Sequence, residues 1–437
     1  MKIGELRRSL DWARAGDEMY ALVAELYPIC RSITGDGLRA TLRRLGRDLD
    51  LECHEVPSGT AAFDWTVPKE WNIRDAWVKD ARGERVIDFQ RSNLHVVHYS
   101  TPVRCTVGVD ELKRHLHSLP ERPQWIPYRT SYYEEGWGFC VEHERLAGFG
   151  EGSYEVCIDA RLEDGSLSYG ECAMGGASDE EFLLSCHTCH PSLCNDNLSG
   201  VVLTAHLARL LAGLELRYSY RCLFIPGTIG AITWLSRNRA RTAQIRHGLV
   251  VACVGDGGPF HYKRSRRGDA DIDRAVEHVL RQSGAAHAVR DFSPYGYDER
   301  QYCSPGFDLP VGSLTRTPHG CFPEYHTSAD DLGFVSARWL GESLRCYLHV
   351  IDVVESNRRY RNTNPHCEPQ LGRRGLYRAI GGSASPGRTE MALLWVLNLS
   401  DGATDLLAIA DRAQLDFDTV RHAADLLCSH GLLAETA

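Results

Sequence analysis

Apolar and polar positions follow three successive rhythms along the chain. From about residue 12 to 50, Leu22, Leu26, Leu38, Leu42 and Leu45 recur among charged neighbours, a spacing that predicts helix. Val56-Pro57-Ser58-Gly59-Thr60 breaks that pattern. From about 61 to 175 aromatic residues gather, among them Trp65, Trp71, Trp77, Trp125, Tyr132, Trp137 and Phe139. Alternating runs such as Leu94-His95-Val96-Val97 predict strands there, so the segment reads as a separate β-rich module.

After Gly175 the rhythm becomes strand, loop, helix. Phe182 to Cys186, Cys222 to Ile225, Leu249 to Val254 and Val311 to Leu314 predict buried strands. Gly200 to Leu211, Ile229 to Asn238 and a long stretch from about 335 to 356 predict helices. Strands alternating with helices imply an α/β domain with a mainly parallel sheet and helices on both faces. Three short helical patterns close the chain, at Met391 to Leu397, Leu406 to Ala413 and Phe417 to His430, and suit a winged-helix module. The expected division is 1–60 with 176–365 for the α/β domain, 61–175 for the inserted β-rich domain, and 366–437 for the winged helix.

Composition narrows the function classes. A net charge of -9 argues against a dedicated nucleic-acid or anionic-membrane binder. No run of about 18 apolar residues is present, and no basic start leads into an apolar stretch, so neither a membrane span nor a secretory signal is expected. Sixteen scattered cysteines then favour reduced thiols and a cytoplasmic location. From Gly402 to His430 there are five aspartates against Arg412 and Arg421, so packing or homo-oligomer formation is expected of the last module rather than DNA binding.

Ligands of open α/β sheets gather beyond the carboxyl ends of the strands. There the chain carries His187, then Asn195-Asp196-Asn197-Leu198-Ser199-Gly200, then Asp256, and later Glu324-Tyr325-His326-Thr327. Two imidazoles and two carboxylates on converging loops are suitable zinc donors, although each alone reads more readily as structural. Cys186, Cys189, Cys194, His187 and His190 hint at a zinc knuckle, but no second pair follows at knuckle spacing. Buried thiols with His190 as an alternative donor are favoured. The aromatic residues of the insert read chiefly as core, with a wall above the site mouth as the other reading.

That order of motifs resembles the co-catalytic zinc aminopeptidases of metallopeptidase clan MH. More closely, it resembles bacterial aminopeptidase-like proteins with an inserted β domain and a C-terminal winged helix. Phe63 to Pro68, Trp137 to Cys140, Asn195 to Gly200 and Asp298 to Tyr302 carry the likeness across nearly the whole chain. The resemblance implies a phosphorylase/hydrolase-like core in which His187, Asp196 and Asp256 hold one zinc. Asp196 would bridge to a second zinc reached by His326, and Tyr325 would polarise the scissile carbonyl.

The departures bear on chemistry. The aminopeptidases place two glutamates after the second strand, and the closer relatives keep one at the position of Gly227, where this chain reads Pro226-Gly227-Thr228. One zinc is therefore expected rather than two, and a glutamate restored at 227 is expected to raise amide cleavage. Cys189 stands where an aspartate would orient the first histidine. Glu299 or Glu324 is an alternative base, and Arg300 an anion or oxyanion contact. A structural ion-pair cluster of Asp298, Glu299 and Arg300 is the competing reading.

The expected activity is metal-dependent hydrolysis of an amide in a small peptide or aminoacyl conjugate. The alternative is a repurposed member that keeps a metal site, lacks the base, and binds a ligand or catalyses a different biosynthetic step. An interaction scaffold built on the winged helix is the third reading.

Overall fold

In the computed structural model the described residues are 1–376 and 387–436. The chain divides into two compact units, residues 1–270 with 286–348, and residues 271–285 with 349–437.

An eight-stranded sheet organises the first unit. Its strands are β1 (Glu52–Pro57), β2 (Ser166–Met174), β3 (Glu181–His187), β4 (Ser219–Ile225), β5 (Ile245–Val251), β6 (Phe260–Lys263), β7 (His287–Arg290) and β8 (Val311–Thr315). Their lateral order is β1-β2-β4-β3-β5-β8-β6-β7. The central four run parallel, β1 and β2 pair antiparallel with their neighbours, and β6 runs antiparallel to β8 but parallel to β7. All seven residues of β3 are buried, the signature of a strand covered on both faces. Full burial of Phe182, Leu183 and Leu184 stabilises the fold by about 1.5–3 kcal/mol each. Helix Ser199–Leu211 links β3 to β4, and helix Ile229–Arg237 leads from β4 toward β5. Since β4 and β5 flank β3 on opposite sides, the winding reverses at β3 and opens a crevice beyond His187.

The strand and helix expectations in this region hold to within a few residues. The amino-terminal stretch is less regular than its leucine spacing predicts, forming helices Ile3–Ser9, Trp12–Leu26 and Asp36–Leu45. Gly35 stands between the last two at a φ of +94°, where a Cβ would lie 2.2 Å from the Trp71 carbonyl oxygen. The insert is a four-stranded antiparallel sheet of Arg85–Asp88, Glu70–Lys79, Ser153–Glu163 and Val103–Gly108. It ends earlier than the expected residue 175, because β2 already belongs to the main sheet. One hydrophobic cluster holds Trp71 and Val156 of the insert with Leu183 and Val250 of the main sheet. The two sheets therefore share a core.

The second unit contains a three-stranded antiparallel sheet, ordered Asp401–Asp405, Arg359–Asn362, Leu433–Glu435. Helices Arg388–Leu399, Leu406–Ala413 and Phe417–Ser429 bury Leu393, Leu407 and Val420. Its first strand begins at Arg359, ahead of the expected 366. Two of the aspartates counted as surface charge both cap a helix and pair with an arginine. Asp405 caps a helix through Ala408 N and pairs with Arg274 at 2.8 Å, and Asp416 caps through Thr419 N and pairs with Arg388 at 2.6 Å. Among the described residues no helix is long and apolar enough to cross a membrane.

Three buried histidines give the first unit an acid-sensitive core. Burial pushes His247 down to about 3, and His98 and His206 down to about 4. The unfolded chain protonates them near 6.5, so the folded state is disfavoured as pH falls from about 6.5 towards about 3. Stability measured by urea unfolding is expected to be full above about pH 6.5 and to decline below it. Among the described residues neither ring nitrogen of His247 has a hydrogen-bond partner, and the ring sits against Phe182 and Tyr218. His247→Phe should therefore reduce the difference in unfolding free energy between pH 7.5 and pH 5.

Candidate metal centre

His187 ends β3 and pairs in register with Ile225, the last residue of β4. Beyond it, the Asn195 to Gly200 turn is stitched to the loop that follows β5. Asn195 Oδ1 accepts from Gly255 N at 2.9 Å, Asn197 Oδ1 from Cys253 N at 3.2 Å, and Ser199 Oγ from Val254 N at 3.0 Å. Gly200 admits the Val251 carbonyl oxygen to 2.3 Å of where a Cβ would stand, so the motif requires glycine there. From the other side, Asp330 accepts from Asn195 N at 2.6 Å and Asp196 N at 2.9 Å.

Asp196 is held at the centre of three imidazoles. His187 Nε2 lies 2.7 Å from its Oδ1, and His326 Nε2 lies 3.1 Å from its Oδ2. His190 Nε2 lies 3.8 Å from the same Oδ2. Donor atoms of His187, His190 and Asp196 all fall within 4.8 Å of one another, and all three residues are buried. Burial works to raise the Asp196 pKa, but His190, His187 and the hydrogen bonds from His187 and His326 hold it well below the usual carboxylate range. Burial pushes His190 well below its ordinary value. A carboxylate beside imidazole nitrogens offers the mixed oxygen and nitrogen donors that a divalent cation such as zinc takes.

The expected donors do not all meet. The structure brings His187, Asp196 and His326 together and adds His190. Asp256 is not among the donors that lie within 4.8 Å of one another, and three N–H groups engage its carboxylate. Asn195 Nδ2 donates to it at 3.3 Å, Gly258 N at 3.0 Å and Thr317 N at 3.4 Å. Cys189 does not replace the orienting aspartate of His187. Asn197 Nδ2 lies 3.3 Å from His187 Nδ1 and donates to the carbonyl oxygens of His187 and Val251. Among the described residues no cysteine joins a metal-donor group, and all sixteen are free thiols.

Tyr325 stacks on His326, with ring centroids 3.9 Å apart. Glu299 is buried in an ion pair with Lys263 and accepts from Tyr297 N at 3.1 Å. Among the described residues neither carboxyl oxygen of Asp298 has a hydrogen-bond partner, nor does Arg300 Nε, so Asp298 is not hydrogen-bonded to Glu299 or Arg300. Burial, followed by the neighbouring Glu299, raises the Asp298 pKa well above the carboxylate range.

A cavity of about 170 Å³ adjoins the donors. Tyr128, Tyr132 and Tyr297 supply phenol faces, His190 and His326 imidazoles, and Gly227 bare backbone; no carboxylate and neither Glu299 nor Arg300 lines it. The insert thus walls the site, which its aromatic content alone favoured less than core. Its segment 126–128 bridges the ligand loop, with Tyr128 N donating to His326 O at 2.8 Å and Ser328 N to Ile126 O at 2.8 Å. Sequence reasoning missed Tyr128, Tyr297 and Arg31. Arg31 is buried without a carboxylate partner among the described residues and donates from Nε to the His190 carbonyl at 3.0 Å. Tyr297 adjoins the Asp298 to Tyr302 motif, the one signal that pointed toward it. Arg31 lies in the otherwise uncharged run Tyr27 to Gly35 and gave none.

A family model described as a domain of unknown function, DUF4910, matches residues 20–357, and a winged helix-turn-helix model matches 358–435. A Clostridium acetobutylicum protein named for polysaccharide biosynthesis and an aminopeptidase-like domain is 53% identical over 415 residues, covering 95% of each chain. A crystal structure from the same organism, solved as that of a candidate peptidase, superposes with a TM-score of 0.95 at 50% identity, over 99% of this chain and 100% of the other. The zinc aminopeptidase of Bacillus subtilis shares the fold alone, with a TM-score of 0.57 at 9% identity over 77% of this chain and 94% of its own. The architecture is thus aminopeptidase-like, and the chain belongs to the DUF4910 family, with a winged helix following that domain.

Proposed function

We propose that this chain is a metal-dependent hydrolase of aminopeptidase type, acting on an amide in a small peptide or aminoacyl conjugate. The compact donor group of His187, His190 and Asp196 at the carboxyl end of β3, with His326 against Asp196, carries the reading. These residues would hold one divalent cation, for which zinc fits the nitrogen-rich donor set. A bound cation supplies Lewis acidity toward a carbonyl and lowers the pKa of water. Tyr325, raised by burial, keeps its proton at neutral pH and offers an O–H to a carbonyl oxygen gaining charge. Tyr128 and Tyr132, raised likewise by burial, line the cavity as neutral phenols. A space of about 170 Å³ suits one residue-sized group, with the insert excluding a longer chain.

A second reading is favoured by Gly227 and by the absence of a carboxylate among the cavity's lining residues. Here the chain retains the cation site but binds or converts an intermediate in polysaccharide biosynthesis, the process for which its Clostridium acetobutylicum relative is named. General-base assistance is worth about 10²–10⁴-fold in rate, so a site without it turns over simple amides slowly.

Two measurements test these readings. Purified protein is expected to hold about one equivalent of zinc per chain by elemental analysis. His187→Ala and Asp196→Ala should remove it while far-UV circular dichroism stays native; a folded wild type that binds no divalent metal would end both metal-based readings. Aminoacyl p-nitroanilides are expected to be cleaved in a zinc-dependent manner, and Tyr325→Phe should lower kcat about 10–1,000-fold, as loss of one oxyanion donor does. Zinc-loaded protein that leaves a panel of aminoacyl amides intact favours the second reading.

A further inference from the structure

Tyr297 occupies the space that a side chain at position 227 would need. A Cβ built on Gly227 lies 2.2 Å from Tyr297 Cε1 and 3.1 Å from both Tyr297 Cδ1 and His187 Cβ. Contacts below about 3 Å are not tolerated without displacement in interiors as closely packed as these. The same ring stacks on His187, with centroids 3.9 Å apart and planes 27° from parallel. Its hydroxyl lies 3.3 Å from His190 Nε2. The backbone beneath it is pinned: Tyr297 N donates to both oxygens of Glu299, and Lys263 Nζ pairs with Glu299 while donating to the Ser293 and Tyr295 carbonyls. A tyrosine so held cannot swing aside at little cost.

We propose that Tyr297 is a positioning residue in exchange with Gly227: its ring fills the volume of a carboxylate side chain at that position, orients His187 and His190, and confines the centre to one divalent cation. The cation part rests on the metal-dependent reading above; the packing part does not. The earlier expectation that a glutamate at 227 restores activity is revised accordingly, since its Cβ would meet the Tyr297 ring.

A double-mutant cycle tests this on the full chain. Wild type, Gly227→Ala, Gly227→Glu, Tyr297→Gly and Gly227→Glu with Tyr297→Gly are compared by thermal unfolding in EDTA and by zinc titration calorimetry. Gly227→Ala and Gly227→Glu should each lower Tm by about 3–10 °C through overpacking. The double variant should be more stable than the sum of its single changes predicts, as contacting sites require, and should take up a second zinc. Tyr297→Phe, which keeps the ring, should hold Tm yet weaken zinc binding about 10-fold through loss of the hydroxyl beside His190. Wild-type Tm in Gly227→Ala, or strictly additive Tm changes in the cycle, would overturn the exchange even when wild type binds one zinc. Coupled Tm changes in a protein that binds no zinc would uphold the packing exchange and overturn the metal reading instead.

Discussion

The centre depends on a clasp between two loops at the carboxyl edge of a parallel sheet. Asn195, Asn197 and Ser199 give side-chain oxygens to three successive backbone N–H groups, Gly255, Cys253 and Val254. Those amides follow the last pairing of β5 and would otherwise be buried without partners. An unsatisfied buried N–H costs about 1–3 kcal/mol, so the clasp is both stabilising and restrictive. Its by-product is Asp196, fixed between Asn195 and Asn197 with its carboxylate turned toward His187. Asp330 closes the remaining side through the backbone amides of Asn195 and Asp196.

Desolvation then sets the chemical character of the site. His187, His190 and Asp196 are all buried, and bringing charge into such surroundings is costly unless it is shared. The structure answers with one carboxylate among imidazoles and a shell of neutral phenols. Tyrosine rings lie against each histidine: Tyr297 on His187, Tyr128 beside His190, and Tyr325 on His326. Arg31 adds a positive charge behind the His190 carbonyl with no carboxylate to neutralise it among the described residues. The β-rich insert matters because its 126–128 segment is hydrogen-bonded to the loop bearing His326. Ligand placement and cavity wall are in this way one structure.

Ion pairing and helix capping engage several carboxylates of the acidic winged-helix module. Asp405 and Asp416 each cap a helix and hold an arginine, and Asp411 pairs with His278 and Arg281. Part of the charge that looks like a repulsive surface in the sequence is thus paired or capping within the unit.

Regular patterns within the chain were enough to determine the α/β architecture, the order of its central strands and helices, and the two loops carrying His187 and Asp196. Buried parallel strands are continuous apolar runs, and helices repeat every three to four residues, so both are written locally. Short strands near the sheet's edge such as β6 and β7 lack that apolar run and went unread, as did the early end of the insert, since pairing with β4 rather than composition assigns β2 to the main sheet. Only the tertiary structure decided which groups meet. His190 joined the donors, Asp256 was engaged by neighbouring amides, and Tyr297, seventy residues beyond Gly227, filled the space above it. Such juxtapositions depend on how distant loops pack, and no local spacing encodes the separation of side chains brought together by a shared core.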